Sequence, residues 1–84
     1  MRVRVLYFAR SREAAGGAGE EALELPEGST TAQLLDLLRG RHPALESVLR
    51  ACVLAVNQEY VGLDAALPLK EGDEVALIPP LSGG

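Results

Sequence analysis

Residues 30–40 have the sequence TTAQLLDLLRG and carry the clearest helix signal in the chain. Thr30 is a natural N-cap, and Gln33, three residues later, completes a capping box. We expect Gly40 to end the helix. Between these ends a broad apolar stripe is formed by Leu34, Leu35, Leu37 and Leu38. The apolar stripe of a single amphipathic helix has to be buried against another element, and the flanking segments predict that this element is a β-sheet.

The segments before the helix predict two strands and a short helix. Val3, Val5 and Tyr7 alternate with outward positions and form one apolar face, while Leu6 and Phe8 fall on the other face as candidates for an exposed patch. A short helix over residues 9–15 is expected to stop at the two glycines that follow. Residues 20–25 predict the second strand, with Ala22 and then Leu25 facing the core, and a turn follows at residues 26–28.

The segments after the helix predict a second short helix and three further strands. A proline at position 43 is suited to open a helical turn that runs through residue 49. Residues 52–56 are apolar throughout, as in a central strand, and the Asn57–Glu59 turn leads into a short return strand that begins at Tyr60. Residues 70–73 turn into the last strand, residues 74–78, which the pair Pro79-Pro80 must end.

This order of elements predicts a small α+β domain in which one main helix covers one face of a mixed sheet. Periodicity alone gives no more than that. Joining the first two strands as a hairpin and crossing over through the helix gives the β-grasp, or ubiquitin-like, arrangement. We therefore predict a single β-grasp domain over residues 1–80 and a flexible, exposed Gly-Gly tail over residues 81–84.

Composition narrows the classes of function. A chain of 84 residues forms one domain and is too small for a deep catalytic pocket beside a core. The formal net charge of −4 argues against a nucleic-acid surface. We expect a cytoplasmic protein with no membrane association, because the chain opens directly into a strand pattern and has no apolar run near the ~20 residues of a membrane span.

Cys52 and His42 could each be reactive, but the sequence favours a structural role for both. Cys52 stands alone in the chain, so an internal disulfide is impossible. Its apolar neighbours indicate a buried, inert thiol that is dispensable for any transfer chemistry. His42 is the sole histidine and is interpreted as a solvated or capping residue, because no second metal ligand stands at a useful spacing. No metal site is expected.

The last six residues, Pro79-Pro80-Leu81-Ser82-Gly83-Gly84, are the most informative feature. Two prolines stiffen the exit from the domain, and two glycines form a tip narrow enough to enter a channel in another protein. A carboxylate at Gly84 becomes a good acyl donor once it attacks the α-phosphate of ATP and forms an acyl-adenylate. A sulfur nucleophile then displaces AMP and leaves a thiocarboxylate. This chemistry takes place in a partner's active site, where the tip is positioned.

Residues 54–58 (LAVNQ) and 72–84 (GDEVALIPPLSGG) resemble the small, sulfur-carrier subunits of molybdopterin synthase. The opening VLYFA at residues 5–9 and the pair Arg12-Glu13 fit the same family, so the resemblance spans the chain. The double proline of the ending favours this family over the thiamin-pathway sulfur carriers, which share the fold and the Gly-Gly tail.

The resemblance implies a set of site residues. Gly84 is the catalytic terminus, as acyl-adenylate and then thiocarboxylate, and the tail residues held by a partner are Gly83, Ser82 and Leu81. A hydrophobic surface that faces the partner maps onto Phe8, Tyr60, Ile78 and Pro80, where Tyr60 stands in place of an aliphatic residue. Phe8 and Ile78 also fall on the outward faces of their strands by alternation alone.

The resemblance also implies the partners. An ATP-dependent adenylyltransferase related to ubiquitin activators charges the tail, and a sulfurtransferase supplies sulfur. The large catalytic subunit of molybdopterin synthase, in a heterotetramer, then receives the tail. Cyclic pyranopterin monophosphate takes up the sulfur and becomes the molybdopterin dithiolene. The chain itself holds no permanent cofactor and has no catalytic pocket of its own.

Three other functions stay open on the residues alone. The same tail chemistry serves sulfur carriers for thiamin thiazole or for thiolated tRNA bases. A protein modifier would join Gly84 to a lysine, as ubiquitin does. A passive ubiquitin-fold binding module would carry the glycine pair without using it. The mass of the protein isolated from its own cells separates thiocarboxylate, lysine conjugate and free carboxylate.

Overall fold

The computed structural model describes residues 1–79 of the 84-residue chain. Within them the chain forms five strands and three helices. In chain order these are β1 (Arg2–Tyr7), α1 (Arg10–Ala14), β2 (Glu20–Glu24), α2 (Thr31–Arg41), α3 (Leu45–Leu49), β3 (Val53–Val56), β4 (Glu59–Val61) and β5 (Glu74–Ile78). Every predicted strand and helix is present, and the bounds of β5 agree with the prediction.

The strands form one mixed sheet in the order β2-β1-β5-β3-β4. β1 and β5 lie side by side and parallel, whereas the β1–β2, β3–β5 and β3–β4 pairs are antiparallel. The crossover from β2 to the far half of the sheet passes through α2, which packs on one face. The α+β, β-grasp prediction is confirmed, and the pairing of β1 with β5 brings the two ends of the described chain to the middle of the sheet.

The core lies between α2, α3 and the inner face of the sheet. β1 contributes Val3, Val5 and Tyr7, as its alternation predicts, and α2 contributes three of the four leucines in its stripe. The fourth, Leu37, is 38% exposed. Among the described residues the core cluster consists of Val3, Val5, Tyr7, Ala15, Leu23, Leu25, Leu34, Leu35, Leu38, Leu45, Leu49, Leu54, Leu69, Val75 and Leu77.

Both ends of α2 have a clear physical cause. The capping box is confirmed, because Gln33 N–H donates to Thr30 Oγ1 at 3.3 Å and Thr30 N–H donates to Gln33 Oε1 at 2.8 Å. The prediction that Gly40 ends the helix is wrong, since α2 continues to Arg41. His42 N–H still donates to the Leu38 carbonyl at 2.8 Å. The following proline has no N–H to extend the ladder, so it sets the end of the helix.

The inward face of β2 differs from the prediction. Leu25 is buried as expected, but Ala22 is exposed and Leu23 is buried in its place. The register explains the difference: Leu23 lies opposite Val3, whose side chain points to the core, and Ala22 lies opposite Arg4 on the outer face. Side chains alternate between the two faces along a strand, so a shift of one residue in the pairing moves every side chain to the other face.

The turn between β3 and β4 is the predicted hairpin. Asn57 and Gln58 have φ values of 50° and 71°, the left-handed conformation that two-residue hairpin loops require. The Asn57 carboxamide also ties this turn to the start of β5, because its Nδ2 donates to Asp73 Oδ1 at 2.9 Å and its Oδ1 accepts from Glu74 N–H at 3.0 Å. Among residues 1–79 no helix is long and apolar enough to cross a membrane.

Candidate functional site

The face of the sheet opposite α2 carries the predicted partner-facing residues. Leu6 on β1 and Phe8, the residue that follows β1, point to this open face. The alternate residues Val3, Val5 and Tyr7 point to the core. Alternation on β5 likewise sends Ala76 and Ile78 outward while Val75 and Leu77 are buried. On β3 and β4 the open face receives Ala55 and its cross-strand neighbour Tyr60.

These side chains surround a concavity of about 410 Å³, which we call the apolar groove. Phe8 is 44% exposed and Tyr60 is 75% exposed, whereas Ala55 and Ala76 form a buried floor between them. Because Ala55 and Ala76 have small side chains, an open volume remains between the larger side chains of Phe8 and Tyr60. The full lining consists of Leu6, Phe8, Ala55, Gln58, Tyr60, Glu74, Ala76 and Ile78.

The structure therefore brings together Phe8, Tyr60 and Ile78, the residues predicted to form one partner-facing surface. It adds Ala55 and Ala76, which were not among the predicted site residues. Strand parity in β3 and β5 would have placed both alanines on the open face. That signal was obscured because these strands are apolar on both faces. Pro80, the fourth predicted interface residue, lies outside the described residues.

The exit of the C-terminal segment adjoins the apolar groove. β5 ends at Ile78, which lines the groove, and Pro79 follows in a buried position. Because β1 and β5 run parallel with Tyr7 opposite Leu77, the chain leaves the sheet beside Phe8. The predicted tail residues Leu81, Ser82, Gly83 and Gly84 lie outside the described residues.

A second concavity, of about 460 Å³, lies at the opposite end of β5 and is lined by polar and charged residues; we call it the polar concavity. Its lining consists of Arg2, Arg4, Asn57, Gln58, Glu71, Gly72 and Glu74. Arg4 forms an ion pair with Glu74 at 2.7 Å, and both side chains are partly exposed. The apolar groove is the better candidate site, because it adjoins the exit of the chain and the polar concavity does not.

Cys52 is buried, as predicted, immediately before β3. Burial raises the pKa of its thiol. A raised pKa lowers the fraction of thiolate, which is the nucleophilic form. The geometry therefore gives no support to a nucleophilic role for Cys52.

A cluster of polar side chains near the end of α2 was not foreseen. The Tyr7 hydroxyl donates to Glu21 Oε1 at 2.8 Å, and His42 Nε2 lies 3.0 Å from the same oxygen. Arg41 pairs with the other carboxylate oxygen. His42 also forms the C-cap of α2, so its capping role is confirmed while its contact with Glu21 is new.

The cluster shifts the titration of two of its members. Burial alone would raise the pKa of Glu21, but hydrogen bonds with His42, Tyr7 and Arg41, together with the Arg41 charge, lower it to about 2. Burial, and then the hydrogen bond to Glu21, raise the pKa of Tyr7. Glu21 is therefore held as a carboxylate in a structural ion cluster on the core side of the sheet, away from the apolar groove.

Comparison with known proteins gives consistent matches over the whole chain. A family model described as the ThiS family matches residues 5–84. The molybdopterin synthase sulfur carrier subunit of Chlamydomonas reinhardtii is 55% identical over 84 residues, which is 100% of both chains. SAMP1, the small archaeal modifier protein 1 of Haloferax volcanii, superposes with a TM-score of 0.86 at 32% identity over 100% of both chains.

One similar structure is that of a complex. In Helicobacter pylori, subunits 1 and 2 of the molybdopterin-converting factor form a protein–protein complex. The matching chain superposes with a TM-score of 0.72 at 26% identity over 100% of both chains.

Proposed function

Because the chain belongs to the ThiS family and, within it, to the molybdopterin synthase sulfur carrier subunits, we propose that Gly84 carries sulfur as a C-terminal thiocarboxylate. The product of delivery is the molybdopterin dithiolene. One structural observation supports this role: the end of β5 at Ile78 lines the apolar groove, and in the sequence the chain continues from there to Gly83 and Gly84. A partner seated on the groove is thus placed to receive the tail.

The chemistry requires two steps at the same carbonyl carbon. A Gly84 carboxylate oxygen attacks the α-phosphate of ATP, pyrophosphate leaves, and an acyl-adenylate forms. A sulfur nucleophile at the oxidation level of sulfide then attacks the acyl carbon, the C–O bond to AMP breaks, and the tail becomes a thiocarboxylate. A ubiquitin-activator-like adenylyltransferase performs the first step, and a sulfurtransferase supplies the sulfur for the second. Positioning of the reacting groups is the contribution of those partners.

Delivery takes place in the large subunit. The acceptor is cyclic pyranopterin monophosphate, and each charged tail gives up one sulfur atom and returns as a carboxylate. A dithiolene holds two sulfur atoms, so two charged tails are consumed for each product. The five residues from 80 to 84 span at most ~18 Å when extended, which is enough to enter a neighbouring subunit.

The apolar groove is the docking surface in this proposal, and the large subunit is its occupant. Exposed aromatic and aliphatic side chains that are grouped in this way are typical of protein interfaces. The complex of the related Helicobacter pylori subunits supports a partner of this class. Phe8, Tyr60 and Ile78 are the residues we assign to the contact.

Deletion of Gly84 tests the proposal. The wild-type chain and the deletion variant are each incubated with the activating enzyme, ATP and a sulfur source, and the intact mass is read for exchange of oxygen for sulfur. Deletion moves the terminal carbon by up to ~3.5 Å along the chain, so we expect sulfur incorporation and delivery to be lost. The free energy of unfolding should stay unchanged, because the core lies within residues 1–79. Normal incorporation and delivery by the deletion variant would contradict sulfur carriage at Gly84.

A protein modifier is the second candidate, because the structure also superposes closely on the small archaeal modifier protein 1. In that case Gly84 forms an isopeptide bond with lysine side chains after the same adenylation. Mass spectrometry of the protein from its own cells distinguishes the two, since a modifier is recovered in lysine conjugates and a carrier as a thiocarboxylate.

A further inference from the structure

The direct backbone hydrogen bonds between β1 and β5 end before Phe8. At Phe8 the hydroxyl of Ser11 lies between the two strands in place of the next backbone hydrogen bond. In this parallel pair, the amide of a β1 residue donates to the carbonyl that precedes its partner, as Arg4 N–H does to Asp73 at 2.9 Å. By the same rule, Phe8 N–H would donate to the Leu77 carbonyl. It donates instead to Ser11 Oγ, at 2.9 Å.

The Ser11 hydroxyl is shared between the two strands. Its proton has two acceptors, the Phe8 carbonyl at 2.7 Å and the Leu77 carbonyl at 3.2 Å. The residue is fully buried, so water does not replace these bonds. A single side chain from α1 therefore separates the ends of β1 and β5 and satisfies their backbone groups at the same time.

The turn that brings Ser11 to this place is strained. Ala9 has φ 51° and ψ −124°, a conformation that residues with a Cβ adopt rarely. The turn lets α1 begin at Arg10 and lets Ser11 N–H donate to the Phe8 carbonyl at 3.1 Å. Strain of this kind persists where the surrounding contacts fix it, and here the buried hydroxyl supplies those contacts.

Ser11 touches the two strand ends that matter for the proposed function. Phe8 and Ile78 both line the apolar groove, and Ile78 is followed by Pro79 and the tail. We infer that Ser11 is a positioning residue for sulfur delivery, whose hydroxyl sets the separation of the ends of β1 and β5 and thereby the place relative to the docked groove from which Ile78 and Pro79 lead into the tail. This inference rests on the proposed function.

Loss of the hydroxyl should close the gap between the strands. Phe8 N–H can then donate directly to the Leu77 carbonyl. This single hydrogen bond of ~2.9 Å replaces the two that now connect the strands through Ser11 Oγ. Because a single hydrogen bond spans less than the Phe8–Ser11 and Ser11–Leu77 bonds together, we expect the strand ends to approach each other by on the order of 1 Å. A misplacement near 1 Å at a reacting centre costs ~100-fold in rate, and the shift of Ile78 displaces the start of the tail that carries this centre. The side chains of Phe8 and Ile78 stay on the open face of the sheet, so most of the contact area for the large subunit is kept.

The test compares Ser11→Ala with Ser29→Ala in the full chain. Ser29 is a matched control: it is buried and donates to the carbonyl three residues earlier, Pro26, at 2.7 Å, but it does not line the groove. Each protein is prepared chemically as the thiocarboxylate, which bypasses the activating enzyme. Affinity for the large subunit is measured by calorimetry, and single-turnover sulfur delivery is measured at saturating large subunit. Backbone amide shifts of the free proteins are recorded by NMR.

For Ser11→Ala we expect an affinity within ~3-fold of wild type, delivery slowed at least ~10-fold, and shifted amides at Phe8 and Ile78. For Ser29→Ala we expect wild-type affinity and delivery. Equal delivery rates for the two variants, or a loss of affinity in Ser11→Ala as large as its loss of rate, would overturn the positioning role. If wild type itself delivers no sulfur, the proposed function fails, and the inference fails with it.

A second pair of variants guards against loss of folding. Ala9→Gly relieves the strained φ, because glycine adopts positive φ freely. Should Ser11→Ala alone not fold, it is introduced into the Ala9→Gly background, with Ala9→Gly alone as the reference. The same slowing of delivery is expected, and its absence overturns the inference.

Discussion

At the residue scale, Glu21 shows how a small domain ties its edge strand to its main helix. It lies on β2 and contacts Tyr7 from β1, Arg41 at the end of α2 and the C-cap residue His42, so one carboxylate joins three elements. No local pattern predicts these contacts, since Glu21 is 21 residues from His42 in sequence. The interpretation of His42 as a solvated or capping residue is correct for the cap, since His42 is the C-cap of α2. Its contact with Glu21 depends on the tertiary structure.

Glu21 should make the stability of the protein depend on pH in the acid range. Its pKa is lowered from 4.5 to about 2 in the folded state, so the folded form binds the proton less readily than the unfolded form. The resulting stabilisation is complete above pH 4.5 and is lost as the pH falls toward 2; its size is on the order of 3 kcal/mol. Urea unfolding of Glu21→Gln between pH 6 and pH 2 should therefore show a weaker pH dependence than wild type.

The neighbouring Glu20 provides the control for this measurement. Its side chain is 62% exposed, and it faces Arg4 at 4.0 Å. Glu20→Gln should retain the pH dependence of wild type. Parallel curves for wild type and Glu21→Gln would show that the cluster does not stabilise the fold through the charge of this carboxylate.

At the scale of elements, prediction from the sequence succeeded where the signal is local. The capping box of α2 depends on two residues three positions apart, and the hairpin depends on two adjacent residues, Asn57 and Gln58. β2 was harder, because Ala22 and Leu23 are adjacent apolar residues on an edge strand rich in glutamate. Only the pairing with β1 decides which of them faces the core. The Ser11 bridge to Leu77, 66 residues away, has no sequence signal at all.

The open face of the sheet should tolerate charge without loss of the fold. Phe8 is 44% exposed and lines the apolar groove. Phe8→Glu should change the free energy of unfolding by less than ~1 kcal/mol, as is usual for surface substitutions. Its affinity for the large subunit should fall at least ~10-fold, because the substitution places a charge in an apolar contact. Calorimetry measures the affinity, and urea unfolding measures the stability.

Leu37→Glu is the matched control for this substitution. Leu37 is 38% exposed, but it lies on α2, which covers the opposite face of the sheet. The control should bind the large subunit as wild type does. Equal losses of affinity in the two variants, or an unfolded Phe8→Glu protein, would show that the groove is not the docking surface.

At the scale of the whole molecule, docking and chemistry are separated along the chain. The described residues 1–79 contain the entire core cluster and the apolar groove, while the reactive ending follows β5. The sequence predicted this division from the double proline and the glycine pair. It did not predict that the parallel pairing of β1 with β5 places the chain exit beside the groove, since that pairing joins residues about 70 positions apart.

This division predicts that a chain without its tail is a competitive inhibitor. Deletion of residues 81–84 leaves the core and the groove intact, so the truncated chain should fold with an unchanged free energy of unfolding. It should bind the large subunit with an affinity within ~10-fold of wild type, because the fully buried centre of an interface carries most of the binding energy. It delivers no sulfur, and it should slow delivery by the wild-type thiocarboxylate in a way that excess wild type reverses.

Introducing Phe8→Glu into the truncated chain should abolish the inhibition. If the truncated chain folds but does not compete, the tail itself supplies the docking energy, and the groove has no role in binding the large subunit.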